Sequence, residues 1–261
     1  MAEARTWVAA LRDSHDRLIA ILDNLGPAQL SGPSDCSEWT IAQVLSHLGS
    51  GAEIFSLIVE AGLGDGQAPG NETFPPIWDA WNAKDPKEQA DDFKRADSAL
   101  LERVEALNDK QIADFKVSMF GMDLDAVGIL AMRLSEHALH SWDIAVALDP
   151  GATVSQTATD LLIDGLDKRV GRAGKPVGGP LRVQIETSSP ARIFTLSVGD
   201  EVSLVPGPDE GNEGAETSSL QIPSEAFLRL VAGRMDPDHT PAEVQADGVS
   251  LDSLRAVFPG F

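Results

Sequence analysis

Through the first half of the chain, apolar residues return every third or fourth position, the spacing of helices that bury one face. Ala4–Leu25 sets Trp7, Leu11, Leu18 and Leu22 near one stripe, and the chain turns at Gly26-Pro27. Thr40–Leu63 follows the polar run Ser34–Glu38 and carries Ile41, Val44, Leu45, Leu48 and Phe55 at helical spacing. A loop rich in Gly, Pro and Asn then runs towards Pro76. Lys87–Leu107 is charged on one side and presents Phe93, Leu100, Val104 and Leu107 on the other. Asp125–Leu148 is apolar for most of its length, with Asp123 or Asp125 available as N-cap and Asp149-Pro150-Gly151 as its stop. Four such helices with no strand between them predict an all-α, antiparallel four-helix bundle over residues 1–151.

Beyond Pro150 the period changes. Val154–Val170 reads as one more helix and Gly171–Pro180 as a flexible link. Leu181–Thr187 and Arg192–Val198 alternate apolar and polar residues, as half-buried strands do. Glu201–Val205 and Leu220–Ile222 read as shorter strands, and Ser224–Gly233 and Leu251–Phe258 as helices. Residues 152–261 therefore predict a small α+β C-terminal domain.

Charge narrows the function. The 261 residues carry a net charge of −21, which argues against a nucleic-acid partner because a polyanion would be repelled. The acid is spread along the chain, with one local excess at Asp209–Glu216, and reads as a solubility feature. No apolar run suggests a bilayer span, and Met1–Asp13 lacks the basic start and apolar stretch of a secretory signal. The expectation is a cytoplasmic monomer with no membrane partner. Cys36 is the single cysteine, so intrachain disulfides and Cys-rich zinc modules are excluded. A metal would have to be held by carboxylates and by some of five histidines, His15, His47, His137, His140 and His239.

One constellation stands out. Glu136 and His140 are four apart, one turn apart on one helix face, with Asp143 three further on. His137 is rotated about a quarter-turn away from His140. Around them lie Val127, Ile129, Leu130, Leu134, Leu139 and Ile144, where a buried carboxylate is costly unless paired or metal-bound. His47 sits in an equally apolar stretch between Val44, Leu45 and Leu48. Side chains from two helices of a bundle can converge on one ion, and His47, Glu136 and His140 would leave a fourth position open, as catalytic zinc sites do. On spacing alone, hydrogen-bonded core histidines are the simpler reading.

Two motifs add to this. The run Cys36-Ser37-Glu38-Trp39-Thr40-Ile41 through His47-Leu48, and the run Glu136-His137-Ala138-Leu139-His140-Ser141-Trp142-Asp143, together resemble signatures of the mycothiol-dependent maleylpyruvate isomerases and related thiol S-transferases of the DinB-like superfamily. Leu230-Val231-Ala232-Gly233-Arg234 is similar to part of that family's second domain. The resemblance implies a DinB-like helical bundle whose metal ligands fall on His47, Glu136 and His140. Zinc is the implied ion, although the donor set also suits nickel, iron or cobalt. It implies mycothiol as cofactor, a small-molecule electrophile as substrate, and either cis-trans isomerisation or S-transfer by the metal-bound thiolate. Arg234, in preference to Arg229, is the implied arginine for an anionic substrate or the polar cofactor. Asp143 either orients a metal-bound histidine or the cofactor, or bonds backbone at the helix end. Trp39 and Trp142 read as bundle packing, and Cys36 as a small structural residue. The alternatives are a hydrolase using metal-bound water and a non-catalytic binder of a small ligand or metal.

Overall fold

A computed structural model describes residues 2–36, 38–64, 68–119, 121–208 and 218–260. The chain divides into two compact units, Met1–Ala152 and Thr153–Phe261. Ser37, the acidic stretch 209–217, and parts of the loops Gly62–Pro76 and Phe115–Met122 (residues 65–67 and 120) lie outside the described residues.

The first unit comprises α1 (Ala2–Leu22), α2 (Pro27–Leu30), α3 (Ile41–Gly62), α4 (Phe74–Asn82), α5 (Pro86–Glu105), α6 (Asp109–Asp114), the strands β1 (Val117–Met119) and β2 (Met122–Leu124), and α7 (Ala126–Val146). Its long helices start where side chains can cap them. The Thr40 hydroxyl accepts the Gln43 N–H while the Gln43 side chain accepts the Thr40 N–H, a capping box that opens α3. Asp85 does the same with Glu88 ahead of α5, and Asp125 caps α7 by accepting the Gly128 N–H. Helices α1 and α3 each pack against both α5 and α7. Leu18, Leu45, Leu48, Phe93 and Ile144 are fully enclosed between them.

Two expectations change here. A strand pair does interrupt the helices, with Val117 opposite Leu124 in an antiparallel hairpin of three residues per strand, too short to show a period. By length and composition, α3 is also apolar enough to cross a membrane, but 61% of that window is buried inside the unit, as a core helix requires.

Gly49 on α3 shows how close this packing is. A Cβ there would sit 2.2 Å from the Trp81 ring, which is held by a hydrogen bond from its Nε1 to Glu53 (2.9 Å) and by Lys84 lying over its face. Alanine favours a helix over glycine by up to ~1 kcal/mol, but overpacking a fixed ring costs about 1–3 kcal/mol. Gly49→Ala is therefore expected to be net destabilising in urea unfolding, and a stabilised variant would show that Trp81 is free to move.

In the second unit α8 (Gln156–Leu162) and α9 (Leu166–Ala173) replace the single expected helix, separated by a 3₁₀ turn ending at Gly165. The strands β3 (Leu181–Ser188), β4 (Arg192–Val198), β5 (Val202–Pro206), β6 (Ser218–Pro223) and β7 (Gln245–Asp247) form one sheet in the order β5-β4-β3-β6-β7. Among the described strands only β3 and β6 run parallel, with Val183 opposite Ser218. The alternating residues Val183, Ile185, Phe194, Leu196 and Leu220 are buried with Leu166 and Val170 of α9 and with Phe227 and Leu230 of α10 (Ser224–Val231). The terminal helix α11 (Leu251–Val257) adds Leu254 and Val257 to this core. Strand β7 is exposed at all three residues and has no apolar alternation for a sequence reading to find.

Candidate metal centre

His47 projects from the second turn of α3, and Glu136 and His140 from one face of α7. His47 Nε2 lies 3.3 Å from Glu136 Oε2, and His140 Nε2 lies 3.8 Å from the same oxygen. One donor atom from each of the three residues falls within 4.8 Å of the others. Donors bound at zinc's usual distances at tetrahedral angles stand roughly 3.3 Å apart, so two imidazoles and a carboxylate at this separation fit a divalent ion. The side chains of His47 and Glu136 are 35% and 44% exposed and that of His140 is 12% exposed. Glu136 is therefore not the buried carboxylate that the apolar helix suggested. Its side of α7 opens to solvent, while His137, Ala138 and Trp142 take the enclosed side.

Asp143 is fully buried and its Oδ2 lies 2.7 Å from His140 Nδ1. That contact holds the Nδ1 proton and leaves Nε2 as the lone-pair nitrogen turned towards Glu136. The Asp143 carbonyl meanwhile accepts the Asp35 N–H, tying the loop before α3 to α7. Asp143→Asn is expected to weaken metal affinity about 10–100-fold in competition with a chelator. An unchanged affinity would reduce Asp143 to a helix-end carboxylate.

A second polar cluster lies deeper and was not foreseen. Asp97 of α5 accepts from Arg133 Nη2 (2.6 Å), contacts His15 Nδ1 (2.6 Å) and meets His137 Nε2 at 3.2 Å. Arg133 Nη2 also donates to the Leu48 carbonyl at 3.0 Å, and the Ser14 hydroxyl reaches His137 Nδ1 at 2.8 Å. Burial alone would push the Asp97 carboxyl up, but His137, Arg133 and His15 outweigh it and hold it well below the usual range. Burial pushes the His137 imidazole down more than Asp97 raises it. His137 thus serves this network, turned away from His140. A signal for it was present: Asp97 and Arg133 occupy core positions in the stripes Phe93, Asp97, Leu100, Val104 and Leu130, Arg133, His137.

The remaining candidates divide. Trp142 is buried, with Nε1 donating to the Ala152 carbonyl (2.9 Å), and is packing. Trp39 is not. It is 37% exposed, with its ring centroid 5.4 Å from that of His47 and 6.4 Å from that of His140. Cys36 is half-buried, and its sulfur falls within 4.8 Å of donor atoms of His140 and Asp143. In the second unit, Arg229 is buried and pairs bidentately with Glu225 at 2.8 Å while donating to the His239 carbonyl. Its fork is engaged within its own unit. Arg234 lies just beyond α10, half-buried, with Nη1 donating to the Ala232 carbonyl.

In fold, the chain is similar to a crystal structure of the mycothiol-dependent maleylpyruvate isomerase, at a TM-score of 0.67 and 14% identity over 93% of this chain and 92% of that one. A histidine-to-alanine variant of the mycothiol-dependent maleylpyruvate isomerase aligns over the same shares at 0.65 and 14%. No curated protein matches the chain at a significant level. Residues 11–145, just over half of the chain and all four of the described α-helices longer than 15 residues in large part, match the mycothiol maleylpyruvate isomerase N-terminal domain, and the chain belongs to that family.

Proposed function

We propose that this protein is a metal- and mycothiol-dependent enzyme, an isomerase or S-transferase acting on a small electrophile, with the metal held by His47, Glu136 and His140. The observation that carries the reading is the grouping of those three donors at a solvent-open surface, with their atoms within 4.8 Å of one another. Bound there, a zinc ion would supply a Lewis-acid centre at which a cofactor thiol is held as thiolate near neutral pH. The protein's own groups do the rest. His47 and His140 offer neutral nitrogens, Asp143 fixes the tautomer of His140, and Glu136 adds one negative charge so that the donor set does not overneutralise the ion. Arg234 is the residue proposed for the anionic end of the substrate or cofactor, since its fork suits carboxylates.

The match of residues 11–145 to the mycothiol maleylpyruvate isomerase N-terminal domain favours thiol chemistry, with the thiol supplied from outside the chain, over hydrolysis by bound water. Cobalt-substituted protein provides the test. Mycothiol is expected to intensify and shift the cobalt absorption as sulfur enters the coordination sphere, and turnover of an electrophile is expected to require it. A spectrum and turnover both indifferent to mycothiol would sink the proposal.

A further inference from the structure

Three of the first unit's five tryptophans are placed very differently. Trp81 and Trp142 are buried, and each indole N–H has an acceptor, Glu53 and the Ala152 carbonyl respectively. Trp39 remains 37% exposed beside His47 and His140, and among the described residues no acceptor takes its indole N–H. Such a ring is a poor contribution to a core. It is a good recognition surface, because it offers a flat apolar face and one directional donor with few torsions to freeze.

The chain also holds Trp39 firmly. Its backbone N–H donates to the Cys36 carbonyl (3.0 Å), and its carbonyl accepts from both the N–H (3.0 Å) and hydroxyl (2.9 Å) of Ser34. Pro33 and Thr40 close the turn as a bridge, and the Asp35 N–H anchors it to the Asp143 carbonyl. Immediately before Trp39, Glu38 takes φ 68°, a left-handed conformation that a non-glycine residue keeps only when its surroundings fix it. The indole plane lies at 21° to the His140 ring. A flat molecule stacked on the indole would lie nearly parallel to the His140 ring, with both imidazoles close by.

We propose that Trp39 is a specificity-determining residue, the wall of the metal centre that receives a planar, conjugated, oxygen-bearing electrophile by ring contact and by donation from its N–H. The inference rests on the thiol-enzyme reading above and deepens it by naming what selects the second reactant. Saturated chains of the same charge have no conjugated plane to stack on the indole and must freeze torsions to lie along it, so they gain less from the ring.

Fumarate and succinate make the comparison, since both carry two carboxylates and only fumarate is planar. They are titrated into cobalt-loaded protein without thiol and followed by calorimetry and cobalt absorption. The wild-type protein is expected to bind fumarate about fivefold more tightly than succinate. Trp39→Leu is expected to abolish that preference. Trp39→Phe, which keeps a ring and loses the donor, is expected to retain the preference while both ligands weaken about fivefold. A wild-type protein without preference, or a Trp39→Leu protein that keeps it, overturns the proposal. An unweakened Trp39→Phe protein overturns the donor role. If Trp39→Leu loses the preference only by losing cobalt, Trp39 merely shields the imidazoles and the proposal fails. Indifference of the cobalt spectrum to mycothiol would strike the thiol reading alone, because these titrations contain no thiol.

Discussion

His47→Ala protein is expected to purify folded and nearly metal-free, and to have lost thiol-dependent turnover. His47 is the only contribution of α3 to the donor group, and its Nε2 stands 3.3 Å from Glu136. Without it, Glu136 and His140 remain as a two-donor set on one helix turn. The expected loss of affinity exceeds the ~10–100-fold that follows removal of a supporting hydrogen bond. His137→Ala provides the contrast. It lies next to Glu136 in sequence yet is turned to Asp97, so it should keep its metal and lose stability instead. Metal analysis after dialysis, with far-ultraviolet circular dichroism as the folding control, distinguishes the two variants. Full metal content in His47→Ala would show that the site is wrongly drawn.

Asp97→Ala is expected to be among the most destabilising single changes in the first unit, by about 3–5 kcal/mol. The substitution leaves the Arg133 guanidinium buried without its counter-ion, and also removes the partner of His15 and His137. Against a total stability of roughly 5–15 kcal/mol, that loss approaches unfolding. Asp97→Asn keeps an acceptor and should cost less.

The same network sets the sign of the pH dependence. The folded His137 value lies below 6.5, so its contribution is present above that pH and is lost as pH falls towards the folded value. Asp97 lies below 3.8 when folded, so its contribution persists to lower pH and is lost as pH falls through the folded value. Urea unfolding of the wild-type protein should therefore show stability declining from about pH 6.5 downwards. A rise over that range would contradict the assignment.

How much of this was legible depended on which physical signal each feature leaves. The long helices were readable because their apolar residues keep a 3.6-residue period over several turns. Their starts were readable where Thr40 and Asp125 cap them. The β1–β2 hairpin and β7 are too short and too polar to carry any period. Val154–Val170 kept an apolar pattern through a break at Gly165 that only the structure reveals. At the site, residue type and i, i+4 spacing brought Glu136 and His140 together, the apolar setting of His47 offered it as a third donor, and the resemblance implied all three as ligands. Composition could not say that Glu136 is partly open to solvent, because an apolar helix can still have one side that is only half covered. Trp39 departs from the buried position expected of it for the converse reason. Its apolar type suggests a core, and only the tight turn through Glu38 holds it in the open beside the histidines.

The spacing of the donors along the chain has a last consequence. His47 and Glu136 are 89 residues apart, so an ion gripping both would cross-link most of the first unit in a protein whose single cysteine allows no internal disulfide. Unlike a disulfide, such a clasp opens whenever the chain unfolds, so its strength follows ion supply rather than redox potential. At free ion a hundredfold above Kd it adds about 2.7 kcal/mol, and at vanishing ion it adds nothing. The same three side chains proposed to prepare a reactant would then tie the stability of the fold to the metal its surroundings provide.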